Sequence, residues 1–225
     1  MQIALVPAYN EENTIREVIS RLKRVNLKAV VIDDHSSDKT ADLAKRAGAI
    51  VIRHEMNKGK GEAIKTGINF LLKRYPQIKY VVIVDADMQY KPDEAISLLR
   101  SLKEEKVDFV MGKRDWSKVP FRHMLANLVW RIAFNILFLQ RLEDTNCGFV
   151  AFSRKAMEKL RNNIHGGYIL ENQMLATAVR SKLKIKQVPV EISYTEKSGI
   201  RRGARMLLGI LVFILVEGVK YRLGK

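Results

Sequence analysis

Three short apolar runs in the first ninety residues each end in polar residues that could do chemistry. Ile3 to Pro7 leads into Tyr9-Asn10-Glu11-Glu12, Ala29 to Ile32 into Asp33-Asp34, and Tyr80 to Val84 into Asp85-Ala86-Asp87-Met88-Gln89. Carboxylates that follow separate buried strands converge on one edge of a sheet, where open α/β folds bind their ligands. The Asp85/Asp87 pair is the sharpest of these features. Alternate residues of an extended chain point to opposite sides, yet at a strand-to-loop turn both can reach one small cavity, one to a ligand and one to a cation. Hard oxygen donors of this kind suit Mg2+ or Mn2+ beside a phosphate group.

Other chemistries are excluded by the same residues. Gly59-x-Gly61 lacks the third glycine of a dinucleotide fingerprint, and there is neither a phosphate-binding Walker loop nor a Gly-x-Ser-x-Gly elbow. Cys147 is the single cysteine, and His35, His54, His123 and His165 are scattered, so disulfide and zinc scaffolds are excluded. With 47% hydrophobic residues in 225, the chain has the apolar content of a folded domain.

The elements that must position these residues alternate in type. Strands are expected at Ile3 to Pro7, Ala29 to Ile32, Ala49 to Arg53, Tyr80 to Val84 and Phe109 to Gly112, each almost continuously apolar, as strands covered on both faces are. Between them lie helices: Ile15, Val18, Ile19 and Leu22 at helical spacing, one behind Asp38-Lys39-Thr40, one from about Gly61 to Arg74, and one opening at Pro92. Five strands and four crossovers predict a doubly wound α/β sheet, mostly parallel, with helices on both faces.

Beyond residue 112 the pattern is less regular. Residues 121–139 read as a helix that is apolar around most of its circumference, with His123, Asn127, Arg131 and Asn135 as a polar stripe. A strand near Gly148 to Phe152, helices from Arg154 and around Glu171 to Arg180, and a strand at Ile185 to Ile192 follow. Met206 to Val216 is apolar or Gly throughout, too short to span a bilayer, and is preceded by Arg201, Arg202 and Arg205. Charge is uneven: residues 1–112 carry 19 basic and 16 acidic side chains, whereas residues 113–225 carry 21 and 8. The formal net charge of +16 therefore resides mainly in the second half, which suggests a polyanionic partner. Nucleic acid is disfavoured, because aromatic strings of the RNA-binding kind are missing and the strand ends are acidic.

Taken in order, Val6-Pro7-Ala8-Tyr9-Asn10-Glu11-Glu12-Asn13, Asp33-Asp34-His35-Ser36-Ser37-Asp38-Lys39-Thr40, Asn57-Lys58-Gly59-Lys60-Gly61, Asp85-Ala86-Asp87-Met88-Gln89, Gly112-Lys113-Arg114 and Asp144-Thr145-Asn146-Cys147-Gly148-Phe149 resemble the family-2 glycosyltransferases of GT-A fold. Within them the chain is similar to the dolichol-phosphate mannose and glucose synthases. The resemblance implies inverting transfer of a hexose to dolichyl or another polyprenyl phosphate, with mannose from GDP-mannose favoured and glucose from UDP-glucose close behind. It implies that Pro7, Tyr9, Glu11, Asp34, Lys60 and Asp85 bind the nucleotide-sugar, and that Asp85, Asp87 and Gln89 hold Mg2+ or Mn2+. Arg114, Arg122, Arg131 and Arg202 are expected at the acceptor phosphate, with Asp87, Arg114 and Asp144 as the catalytic set. A phosphate acceptor is already ionised near neutral pH, so positioning and charge matter more than a base; Asp144 is the candidate should one be needed. A relative using a sugar hydroxyl as acceptor is the alternative.

The expected organisation is a glycosyltransferase domain over residues 1–200, with a nucleotide-sugar half (1–112) and an acceptor half (113–200), followed by a basic, apolar docking helix over 201–225. Segments 121–139 and 206–216, flanked by Arg122, Arg131, Arg201, Arg202 and Arg205, have the composition of interfacial helices. The expectation is a peripheral enzyme on the cytoplasmic face of the cell membrane without a transmembrane span or signal peptide; a separate membrane subunit is a possible partner. Departures from the pattern are His35 and Lys39 where glycine is frequent, Ala126 where the mannose synthases carry a hydroxyl, and Lys197-Ser198-Gly199-Ile200-Arg201-Arg202 before the last helix.

Overall fold

The structure, a computed structural model, describes residues 2–119, 121–164, 167, 169–193 and 204–224. Seven strands form one mixed sheet: β1 (Gln2–Ala8), β2 (Lys28–Asp33), β3 (Ile50–Arg53), β4 (Tyr80–Ile83), β5 (Phe109–Arg114), β6 (Val150–Ser153) and β7 (Ile185–Val190), in the order β3-β2-β1-β4-β6-β5-β7. The pairs β1·β2, β1·β4, β2·β3 and β5·β7 are parallel, and β6 runs antiparallel between β4 and β5. The architecture is GT-A, a mostly parallel sheet covered by helices.

The strands from the first half form where expected, but the fifth is not the neighbour of the fourth. β6 slots between them, with Val150, Ala151 and Phe152 buried. A short apolar run specifies a buried strand without naming its neighbours, so local pattern could not reveal this insertion.

Helices α1 (Ile15–Arg24), α2 (Thr40–Arg46) and α3 (Lys60–Arg74) link the first four strands. Ile15, Val18, Ile19 and Leu22 form the buried stripe of α1, as their spacing predicts. Right-handed crossovers place α1 and α2, which carry the chain outward to the β3 edge, opposite α3, which brings it back. At Gly67 of α3 a Cβ would lie 2.2 Å from Leu5 Cδ1, so helix and central strand meet at a distance only glycine allows. Gly67→Ala is expected to destabilise the fold by about 1–3 kcal/mol, read as a lowered urea midpoint; an unchanged midpoint would contradict this close approach.

The remaining helices are α4 (Ala95–Glu104), α5 (Phe121–Phe138), α6 (Arg154–Leu160), α7 (Leu170–Arg180) and α8 (Ala204–Arg222). The last pairs with α5: Phe138 stacks on Phe134 and on Tyr221, and Gly218 abuts Leu137 so closely that a Cβ would lie 2.5 Å from the Leu137 Cβ. Inward-facing Trp130, Phe134, Phe138, Ile210 and Ile214 are buried. Outward-facing Leu125, Val129, Ile132, Ile136, Leu208, Val212 and Val219 are exposed, Ile136 to 65%. Three members of the polar stripe of α5 bond to other parts of the protein: Asn127 accepts from Arg114, Asn135 bonds both the N–H and the carbonyl of Leu142, and an Arg131 N–H donates to the Glu143 carbonyl; the side chain of His123 lies outside the described atoms. This helix carries an exposed apolar face in addition to its buried aromatic one, unlike an ordinary surface helix. Among the described residues no helix is long and apolar enough to cross a membrane.

Candidate active site

The carboxyl ends of β2, β1 and β4 lie side by side, since Ala8 pairs with Asp33 and Leu5 with Ile83. A cleft of ≈ 200 Å³ opens there, lined by Pro7, Ala8, Tyr9, Glu11, Asp34, Lys60, Ala63, Asp85, Ala86 and Asp87. The six residues expected to bind a nucleotide-sugar thus share one cavity with Asp87.

Its walls are knitted from three loops. The Asn10 N–H donates to Ser36 Oγ, the Glu11 N–H to Thr40 Oγ1, and the Ser37 N–H to Asn10 Oδ1. Thr14 donates to a Glu11 carboxylate oxygen. His35 stands where relatives of this pattern favour glycine, and the backbone gives the reason: its φ is +66°, the left-handed region. Histidine is accommodated there with Nδ1 3.3 Å from the His54 carbonyl. Asp33 and Asp34 diverge. Asp33 is fully buried beside Arg53, whereas Asp34 lines the cleft and accepts from the main-chain N–H groups of Lys58 and Gly59 and from the His54 ring.

Lys60, at the first turn of α3, reaches Asp85 at 2.8 Å and Glu171 at 3.6 Å. Burial alone would lower the pKa of its ammonium, but the charges of Asp85 and Glu171 outweigh that and hold it above its ordinary value. Gly148 sits against this group, because a Cβ there would lie 3.3 Å from Asp85 Oδ2, Glu171 Oε1 and Lys60 Nζ. The Asp87 carboxyl is pushed up to about 6, first by burial and then by the charge of Asp85, with Glu11 adding to it; the Gln89 N–H and Lys60 pull the other way. Gln89 is not among the lining residues and holds Asp87 through its main-chain N–H at 3.0 Å.

These donors fit a divalent cation. Asp87 pays for crowding by like charge, which a cation would relieve, and both groups offer hard oxygens. Among the described residues no cluster of three or more His, Cys, Asp or Glu side chains is arranged for a metal, and Asp85 and Asp87 are the carboxylates of the cleft that would hold one.

Arg114 and Asp144 lie outside the cleft and pair with each other. Arg114 Nε and Nη2 donate to Asp144 Oδ2 and Oδ1 at 2.7 and 2.8 Å, and Nη2 also reaches Asn127 Oδ1 on α5 at 3.3 Å. Burial by itself would lower the Arg114 pKa, but the hydrogen bonds and charge of Asp144 carry it upward. Asp144 is 0% exposed, and both oxygens are occupied by the guanidinium. Asp144 is thus the ion-pair partner of Arg114 in this structure.

Trp116 stands between Arg114 and Arg131, whose guanidinium carbons lie 5.1 and 5.6 Å from its ring centroid. Trp116 walls two spaces: a cavity of ≈ 800 Å³ that Arg114, Lys113 and Glu143 also line, and a mainly apolar one of ≈ 230 Å³ with Met124, Leu128 and Arg131. Arg122 lies on α5 with its side chain outside the described atoms, and Arg202 lies outside the described residues. The segment from Asp144 to Gly148 joins the two regions, holding Arg114 at one end and touching Lys60 and Asp85 at the other. Sequence reasoning missed His54, Glu171, Trp116 and Asn127. Only Asn127 left a signal, as a member of the polar stripe.

Residues 3–161 match the family described as Glycosyl transferase family 2. A dolichyl-phosphate beta-glucosyltransferase of Trichomonas vaginalis is 30% identical over 98% of this chain and 73% of its own. A UDP-N-acetylglucosamine–dolichyl-phosphate N-acetylglucosaminyltransferase of Methanococcus voltae is 28% identical over 93% of this chain and 92% of its own. Among solved structures, glucosyl-3-phosphoglycerate synthase from Mycobacterium tuberculosis, in complex with Mn2+, UDP-glucose and phosphoglyceric acid, superposes with a TM-score of 0.77 at 21% identity, covering 97% of this chain and 79% of that one. That likeness is one of fold.

Proposed function

This chain belongs to glycosyl transferase family 2, and from that premise we propose that it transfers a hexosyl unit from a nucleoside-diphosphate sugar to a polyprenyl phosphate of the dolichyl type, with inversion. The observation that carries this reading is the joining, through residues 144–148, of the acidic cleft at the ends of β2, β1 and β4 to an arginine–tryptophan cluster at the foot of a helix pair with an outward apolar face. A water-soluble acceptor has no use for such a face. Names of the relatives support a glucosyl or N-acetylglucosaminyl unit and lend nothing to mannose.

Tyr9, half-exposed, and Pro7 flank the nucleoside, Asp34 and Glu11 accept from its hydroxyl and N–H groups, and Lys60 orients Asp85. Asp85 and Asp87 would hold the divalent cation, with Gln89 fixing Asp87 through its main-chain N–H; when bound, Mg2+ or Mn2+ would supply Lewis-acid stabilisation of the departing nucleoside diphosphate. Arg114, pinned by Asp144 and Trp116, presents guanidinium N–H groups to the acceptor phosphate, with Arg131, Arg122 and Arg202 as the further cations for that phosphate. One phosphate oxygen attacks the anomeric carbon from the face opposite the leaving group, a bond forms as the glycosidic C–O bond to the diphosphate breaks, and no proton need be removed. Transfer from radiolabelled UDP-glucose, UDP-N-acetylglucosamine or GDP-mannose to a short polyprenyl phosphate in detergent, with Mn2+ and an EDTA control, tests the reading. Metal-dependent lipid label is expected, and none from any donor would reject it.

The exposed apolar side chains of α5 and α8 support a reading in which the enzyme sits on a membrane surface. Ile136→Glu and Val212→Glu are each expected to leave the fold intact and weaken co-sedimentation with anionic vesicles by at least about tenfold, the worth of one buried aliphatic side chain. Unaltered vesicle binding by both variants would place the contact elsewhere.

A further inference from the structure

The donor cleft spans three strand ends, and their order dictates how a nucleotide must lie. Asp85 and Asp87 follow β4 and Asp34 follows β2, with β1 between them, a separation of about 10 Å across two strand spacings. With the diphosphate at the Asp85/Asp87 end, the ribose lies over the loop after β1 and the base arrives at Asp34. Asp34 is 3% exposed, and what it can still accept decides which base it can read.

A carboxylate offers about four lone-pair positions. Asp34 Oδ1 takes two hydrogen bonds, from the Lys58 N–H at 2.8 Å and from His54 Nδ1 at 2.7 Å. Oδ2 takes one, from the Gly59 N–H at 2.7 Å. His54 Nδ1 carries the hydrogen in this contact, since a carboxylate oxygen only accepts. The ring cannot swing away, because Nε2 is 3.0 Å from Thr66 Oγ1 on α3 and the side chain is buried. One acceptor position, on Oδ2, is left.

Resting on the donor-site reading above, we propose that His54 is a specificity-determining residue which, by occupying Asp34 Oδ1, restricts the donor base to uracil. Uracil presents a single imide N–H between two carbonyl groups and needs one acceptor. Guanine presents a ring N–H beside an exocyclic amine and is recognised by a carboxylate that accepts from both at once. Here the second oxygen is already saturated by the protein's own donors, so guanine would bury an amine hydrogen without a partner, a loss that hydrogen-bonding sites punish strongly. Asn57 and Lys58, at the outer edge of the loop, are exposed and add no buried acceptor.

Calorimetric titration of UDP and GDP, each with Mn2+, into the full chain tests this. The wild-type protein should bind UDP at least about tenfold more tightly than GDP, the value of roughly one hydrogen bond. His54→Leu frees a lone pair on Oδ1 and should shrink the UDP-to-GDP preference severalfold, whereas His54→Asn, whose amide can replace Nδ1–H, should restore it. Thr66→Val, which releases the far side of the ring, gives an intermediate ratio and serves if His54→Leu does not fold. GDP bound as tightly as UDP by the wild-type protein overturns the base assignment and leaves the transferase reading standing. Binding of neither nucleotide overturns both, and an unchanged ratio in a folded His54→Leu protein removes His54 as its cause.

Discussion

Asp87→Asn is expected to lower metal-dependent sugar transfer by about a thousandfold, the scale of removing a charge that stabilises a transition state, while making the metal-free protein more stable at neutral pH. The second half of this expectation separates a functional from a structural carboxylate. The Asp87 carboxyl is raised from 3.8 to about 6 by burial and by the charge of Asp85. The folded protein therefore holds this proton more tightly than the unfolded chain. Its contribution favours the fold below about pH 4 and is lost as pH rises through about 6. Thermal unfolding in EDTA should show Asp87→Asn more stable than wild type by a few degrees at pH 7.5, and the two proteins indistinguishable near pH 4. In the same window protons compete with the cation, so apparent Mn2+ affinity of the wild-type protein should fall about tenfold per pH unit below 6. Wild-type activity and metal affinity in the Asp87→Asn protein would sink the assignment.

Arg114→Met is the second large effect, and it acts on stability as well as transfer. Removing the guanidinium strands the Asp144 carboxylate at 0% exposure with only the main-chain N–H groups of Arg114 and Asn146 on its oxygens. Breaking one partner out of a buried pair costs about 3–5 kcal/mol, whereas replacing both with apolar groups of similar shape is often close to neutral. The double variant Arg114→Met/Asp144→Leu should thus recover much of the stability lost in Arg114→Met while remaining inactive. Chemical denaturation of the two singles and the double gives the coupling directly. Simple additivity of the single losses would mean that the pair is not the unit that its geometry describes. Full transfer activity in a folded double variant would remove Arg114 from the acceptor site.

Much of this site is legible in the chain because it is local. An acidic residue that ends an apolar run must emerge at a strand end, so Asp34, Asp85 and Asp87 declare both their fold and their shared cleft. What is not legible comes from distant parts of the chain. Nothing in the run Val150 to Ser153 says that it enters the sheet between β4 and β5. Nothing around Asp144 announces that Arg114, thirty residues away, will occupy both its oxygens. His54 reads as one more polar residue after a strand until α3 brings Thr66 to its other nitrogen. The stripe of Asn127, Arg131 and Asn135 is visible in sequence, but its direction is not: a helix apolar around most of its circumference does not say which of its apolar sides is covered, and the contacts of Arg131 and Asn135 with residues 142 and 143 settle where the stripe points.

On the proposed membrane reading, the outward apolar face of α5 and α8 would change the variable on which the enzyme's rate depends. A catalyst held at a lipid surface meets an acceptor confined to the same surface, so encounter occurs in two dimensions and the relevant concentration is the mole fraction of acceptor among the lipids. Diluting the acceptor with inert phospholipid at fixed bulk amounts should then slow transfer, while diluting the whole suspension with buffer should leave the rate per bound enzyme unchanged. The donor, arriving from water, keeps ordinary volume kinetics, and the two substrates of one reaction would obey different laws of dilution.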